Sequence, residues 1–151
     1  MKAIRRSSLT ILLMLTISLT HSQNAIIKEA KTTYNQMLQL FNSGDYEGYG
    51  NYVAENIECY TGVYTPLLWE GKSNWMTFIM GLKNFSFVKY DFRQPSYRNF
   101  GENTVMCNGY FVFTTIDKNG VTEIQSGRQS TLLIKLDGTW KIANNHFSAM
   151  F

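Results

Sequence analysis

Apolar positions recur at three- and four-residue spacing through Ile27, Ala30, Tyr34, Met37, Leu38 and Phe41. This is one face of an amphipathic helix, predicted from an N-cap at Asn24 to about Asn42. Ser43-Gly44 ends it. Asp45 then caps a short second helix through Tyr46, Tyr49 and Tyr52, and Asn56 to Tyr60 reads as a short strand. Thr61 to Pro66 reads as a loop or a second short strand, with Pro66 confining any pairing to a sheet edge. After the break Glu70-Gly71-Lys72-Ser73, the residues Trp75, Phe78, Ile79 and Leu82 share one face of a third helix, stopped by Gly81 or Asn84. The pattern then changes to four long strand-like runs: Phe85 to Tyr97, Asn103 to Asp117, Val121 to Leu136 and Thr139 to Phe147. Asn99-Phe100-Gly101, Asn119-Gly120 and Asp137-Gly138 separate them as turns. Helices followed by a four-strand antiparallel meander describe an α+β domain whose curved, antiparallel-rich sheet wraps around N-terminal helices.

Alternation along the meander is imperfect. Tyr110 to Ile116 and Leu132 to Ile134 place apolar residues on both strand faces, so both faces need cover. The helices cover one, and a second copy of the chain is the simplest cover for the other, giving a homodimer through the outer sheet face.

The amino terminus reads differently from the rest. Lys2, Arg5 and Arg6 form a basic stretch, Leu9 to Leu19 an apolar one, and Thr20-His21-Ser22 a cleavage site, so residues 1–22 are expected to be a signal peptide and 23–151 the domain. The apolar run is short for a bilayer span, which needs about 20 residues. Export to a secreted or periplasmic location is therefore expected, with no stable membrane anchor after cleavage. Cleavage also changes the charge balance: the 14 Lys plus Arg fall to 11, equal to the 11 Asp plus Glu. A neutral chain gives nucleic-acid binding no electrostatic support. Cys59 and Cys107 sit in strand-like apolar settings and read as buried thiols, with one disulfide as the alternative. His146 is the sole histidine left after cleavage, and no ligand-pair spacing accompanies it, so neither metal nor cofactor is expected.

The hairpin around Asp137-Gly138 carries most of the candidate chemistry. A three-residue loop over Leu136 to Gly138 matches Ile134 with Trp140 and Leu132 with Ile142, and on this register Arg128 faces His146. A two-residue turn would break that apolar matching. Arg128 shares its strand face with Leu132 and Ile134, which predicts an inward guanidinium. It then needs either a carboxylate such as Asp91 or Glu70, or a ligand.

The strings NSGDYEGY (Asn42 to Tyr49), Glu70-Gly71-Lys72, SGRQSTLLIKLDGTWKI (Ser126 to Ile142) and NNHFS (Asn144 to Ser148) occur in an order that resembles the nuclear transport factor 2-like superfamily, in its SnoaL-like branch. They are similar also to the association domain of calcium/calmodulin-dependent kinase II. The resemblance implies a cone-shaped, cystatin-like α+β roll with a pocket, often dimeric through the outer sheet face. It maps the family's polar positions on the last two long strands onto Arg128 and His146. Where relatives often carry a further histidine, this chain has Asn144 and Asn145.

Three functions follow as expectations. The first is an exported domain binding a small, partly apolar molecule through Arg128, His146, Tyr34, Trp69, Phe111 and Asn144. The second is an isomerase, dehydratase or cyclase with His146 or Asp91 as base and Tyr34 and Arg128 as donors to the oxyanion. The third is a homo-oligomerisation domain with a vestigial pocket.

Overall fold

The computed structural model describes residues 3–61 and 67–149, and the side chains of 23–61 and 68–149. Residues 62–66 of the expected loop, and the side chains of residues 1–22, lie outside the described residues. Helix α1 spans Ala3–Asn42, starting well before Asn24 because no Gly or Pro interrupts that stretch. Helix α2 (Tyr46–Gly50) follows, and Asp45 caps it as expected, its Oδ1 accepting from Gly48 N at 2.8 Å. Strands β1 (Val53–Thr61) and β2 (Leu67–Glu70) come next, then α3 (Lys72–Gly81) with one 3-10 turn at Leu82–Asn84. Strands β3 (Phe87–Asn99), β4 (Thr104–Ile116), β5 (Thr122–Leu136) and β6 (Thr139–Ala149) complete the chain.

The sheet is larger than the predicted meander. Its order is β2-β1-β6-β5-β4-β3, and β1 runs parallel to β6, so the six-stranded sheet is mixed. It is not closed into a barrel, and the α+β class stands. Pro95 is tolerated because β3 is an edge strand and bulges between Arg93 and Ser96, with Gln94 at φ 50.

The main core lies between α1 and the inner sheet face, where Ala30, Tyr34, Met37 and Phe41 meet Val105, Cys107, Leu133, Trp140 and Ile142. The end of α1 is tied to β3 by the Asn42 amide. Its Nδ2 donates to Tyr90 O at 2.9 Å and its Oδ1 accepts from Tyr90 N at 2.7 Å, imitating a strand neighbour. Such a pair orients the helix as well as satisfying two backbone groups.

The register of the last hairpin differs from the expected one. Asp137 and Gly138 both have positive φ, 48 and 79, and form a two-residue turn that pairs Leu136 with Thr139 and Leu133 with Ile142. A bulge at Ala143 then shifts the register, so that Leu132 pairs with Asn144, Ser130 with His146 and Arg128 with Ser148. The shift reverses which alternate residues of β6 point inward: Trp140 and Ile142 before it, Asn145 and Phe147 after it. Arg128 and His146 are therefore not opposite one another, and both are exposed on the outer face. The inward guanidinium expected for Arg128 is not found, because the inner face of β5 is the one bearing Gln129, Thr131 and Leu133.

Candidate functional site

One inward-facing row crosses all six strands in register: Trp69, Cys59, Asn145, Thr131, Cys107 and Tyr97. Cys59 and Cys107 are three strands apart on it, about 14 Å at ordinary strand spacing and too far for a disulfide. Both are buried free thiols. Burial pushes the Cys107 thiol up to about 12 and the Cys59 thiol higher still, so neither is a nucleophile at neutral pH.

The middle of this row forms one wall of a cavity of about 130 Å³ between the sheet, α1 and α3. Its walls are largely aromatic, from Phe41, Trp75, Phe78, Tyr90, Phe111, Phe113 and Phe147. Tyr90 and Phe111 stack with centroids 5.9 Å apart and planes 9° from parallel, and Phe147 meets Phe111 edge-on at 5.4 Å. Two glycines make room for aromatic rings on the inner sheet face, Phe92 beside the wall and Phe111 in it. A Cβ on Gly109 would lie 2.7 Å from the Phe92 ring, and one on Gly127 would lie 2.8 Å from the Phe111 ring.

The polar part of the cavity is a buried, uncharged cluster. Tyr90 OH donates to Gln129 Oε1. Gln129 Nε2 lies within reach of Thr131 Oγ1 at 2.8 Å, Tyr34 OH at 3.1 Å and Asn145 Oδ1 at 3.2 Å, and Thr131 Oγ1 donates to Asn145 Oδ1 at 2.6 Å. Burial raises the pKa of the Tyr34 and Tyr90 hydroxyls, with further contributions from neighbouring cysteines and tyrosines, so both stay protonated. The chemistry available is hydrogen bonding by neutral groups. Among the described residues lining the cavity there is no Asp, Glu, Lys, Arg or His, and no cluster of metal-ligating side chains occurs.

The residues singled out from sequence are distributed unevenly about this cavity. Tyr34 and Phe111 line it. Trp69 stands behind the wall, its ring 5.4 Å from Phe78 and its Nε1 donating to Thr61 Oγ1 at 3.3 Å. Asn144 pairs with Leu132 on the outer side of the Ala143 bulge, while its neighbour Asn145 turns inward. His146 packs edge-on against the exposed Tyr60 at 6.2 Å, and Arg128 pairs with Ser148. Asp91 points away from the cavity, 3.4 Å from Lys89 Nζ and 3.6 Å from Arg93 Nη2. Gln129, Thr131 and Tyr90 were not singled out from sequence, and Asn145 was noted only as standing, with Asn144, where relatives often carry a further histidine. The alternation Gln129-Thr131-Leu133 carries the signal, once Leu133 is recognised as the buried member of its strand.

This architecture recurs in solved structures. A candidate scytalone dehydratase from Novosphingobium aromaticivorans superposes with a TM-score of 0.77 at 11% identity, over 87% of this chain and 89% of that one. The association domain of C. elegans calcium/calmodulin-dependent protein kinase II gives a TM-score of 0.67 at 17% identity, over 85% and 98%. A nuclear transport factor 2-like superfamily protein from Salmonella enterica gives 0.68 at 20% identity, over 88% and 94%. At these identities the likeness is one of fold. No curated protein matches the chain. The model of the SnoaL-like domain matches residues 30–151, which takes in the last third of α1, the whole sheet and the cavity, and the chain therefore belongs to the SnoaL-like domain family.

Proposed function

We propose that the chain is an exported SnoaL-like domain that binds a small, largely apolar molecule in its cavity without transforming it. The observation that carries this reading is the composition of the cavity: aromatic walls around a hydrogen-bonding cluster that is neutral throughout. A pocket that is mostly apolar with a few placed polar groups is the usual form of a small-molecule site. An isomerase or dehydratase requires a base within reach of the substrate proton. His146 and Asp91, the candidates for that role, lie on the outer sheet face, and the tyrosines of the cluster are held protonated.

The basic and apolar stretches of residues 1–22 support export with cleavage after Ser22. A homodimer through the outer sheet face is supported by Tyr60, Tyr110 and Ile124, which are 43%, 40% and 66% exposed on that face. Native mass spectrometry of protein purified from its own host tests the reading. The expected spectrum is a dimer of chains beginning at Gln23 that carry a small-molecule adduct; a bare monomer refutes both the dimer and the retained ligand.

A further inference from the structure

We infer that the cavity selects an uncharged molecule about the size of one aromatic ring, held through a hydrogen-bond acceptor such as a ketone oxygen at Asn145 Nδ2. The inference rests on the reading of the cavity as a ligand site and adds the class of ligand to it. Size comes first. A cavity of about 130 Å³ is close to the roughly 150 Å³ apolar cavity that accommodates benzene. Its aromatic walls favour a flat ring by offset and edge contacts.

The direction of the hydrogen bonds sets the polarity of the ligand. Gln129 Oε1 is occupied by the Tyr90 hydroxyl, and Asn145 Oδ1 accepts from both Thr131 and Gln129. The acceptors of the cluster are thus engaged within it. Asn145 is 2% exposed and lines the cavity, yet its Nδ2 donates to none of the described residues. Among the described residues the sealed polar atoms without a partner are the Tyr97 hydroxyl and Trp140 Nε1, so Asn145 Nδ2 is open to the cavity, a donor that a ligand can reach. A ligand oxygen satisfies it; a ligand N–H does not. Charge completes the selection. A carboxylate would enter with no cation among the described lining residues to offset its desolvation, so anions are rejected.

Calorimetric titration of the full chain with three probes of one shape tests this: acetophenone, α-methylstyrene, in which a CH₂ group replaces the ketone oxygen, and benzoate at neutral pH. Acetophenone is expected to bind about tenfold more tightly than α-methylstyrene, the difference made by one hydrogen bond, and benzoate not to bind. Equal affinities for the first two would overturn the acceptor contact at Asn145 while leaving the ligand-site reading intact. Binding of benzoate at the affinity of acetophenone would overturn the selection for neutral molecules. If none of the three binds, the ligand-site reading falls with the inference. In Asn145→Leu the preference for acetophenone is expected to vanish. In Asp91→Asn, which lies outside the cavity between Lys89 and Arg93, it is expected to persist.

Discussion

Thr131 and Asn145 face each other across β5 and β6, the Thr131 hydroxyl donating to Asn145 Oδ1 at 2.6 Å with both side chains buried. Opposed polar residues on the inner face of a central pair of strands are costly unless each satisfies the other. Here they do so within one cluster that also holds Gln129, Tyr34 and Tyr90, at the wall of the cavity. The position of Asn145 thus links hairpin register, core stability and ligand chemistry.

Asn145→Asp separates these roles by pH. The substitution keeps the size of the side chain but places an ionisable group among neutral partners, so burial raises its folded-state pKa above the unfolded value of about 3.9. A raised carboxyl contributes full stability below the unfolded pKa and loses it as pH rises through the folded one. Urea unfolding of the variant is expected to approach wild type near pH 4 and to fall about 2–4 kcal/mol short of it at pH 7. A deficit equal at both pH values would show that shape, not charge, is what the site requires.

The buried thiols predict a second pH effect, at the alkaline end. Burial holds Cys107 at about 12 and Cys59 higher, against an ordinary value of 9.0 for each. The unfolded chain loses these protons first, so their stabilisation is present below pH 9 and drains away as pH rises towards 12. Each thiol contributes a slope of about 1.4 kcal/mol per pH unit. Above pH 10 the buried Tyr34, Tyr49 and Tyr90, raised mainly by desolvation, add to the loss. Unfolding midpoints measured from pH 8 to pH 11 are expected to fall steadily, and Cys107→Ala to remove one thiol's share. A flat profile to pH 11 would contradict the burial of both groups.

The elements and their order were legible in sequence because the signals are local. Three- and four-residue spacing from Ile27 to Phe41 marked the buried face of α1, and Asp45 marked the start of α2. Asp137-Gly138 marked the last turn. The polar side of the site was not legible, because it depends on a single extra residue. The bulge at Ala143 exchanges the inward and outward positions of β6, sending His146 out and Asn145 in. Matching apolar residues across the hairpin favoured a three-residue loop, whereas the two-residue turn preferred by Asp-Gly, with the bulge after it, buries Leu133 opposite Ile142. The parallel pairing of β1 with β6 was equally hidden, since it joins segments more than 80 residues apart.

His146→Ala and Asp91→Asn distinguish binding from acid-base catalysis. Both side chains lie on the outer face, one against Tyr60 and the other between Lys89 and Arg93. Exposed substitutions away from the core usually change stability by less than about 0.5 kcal/mol. Each variant is expected to bind acetophenone within twofold of wild type and to melt at nearly the same temperature. A tenfold loss of affinity in either would bring the outer face into the site.

Gly127→Ala tests whether the aromatic wall needs the close approach of β5 to β6. Gly127 pairs with Phe111 on one side and Ala149 on the other, and it is buried. A methyl group there would collide with the Ser148 carbonyl oxygen and lie 2.8 Å from the Phe111 ring. The carbonyl belongs to the strand backbone and cannot swing aside, so relief has to come from separating the strands or from tilting Phe111 into the cavity. Overpacking of this kind costs about 1–3 kcal/mol. Urea unfolding should register that loss, and a tilted Phe111 should weaken acetophenone and α-methylstyrene alike, since the Asn145 contact is untouched. Loss of stability with unchanged affinity would mean that strand separation absorbs the strain and that the position of Phe111 is set by Tyr90 and Phe147 instead.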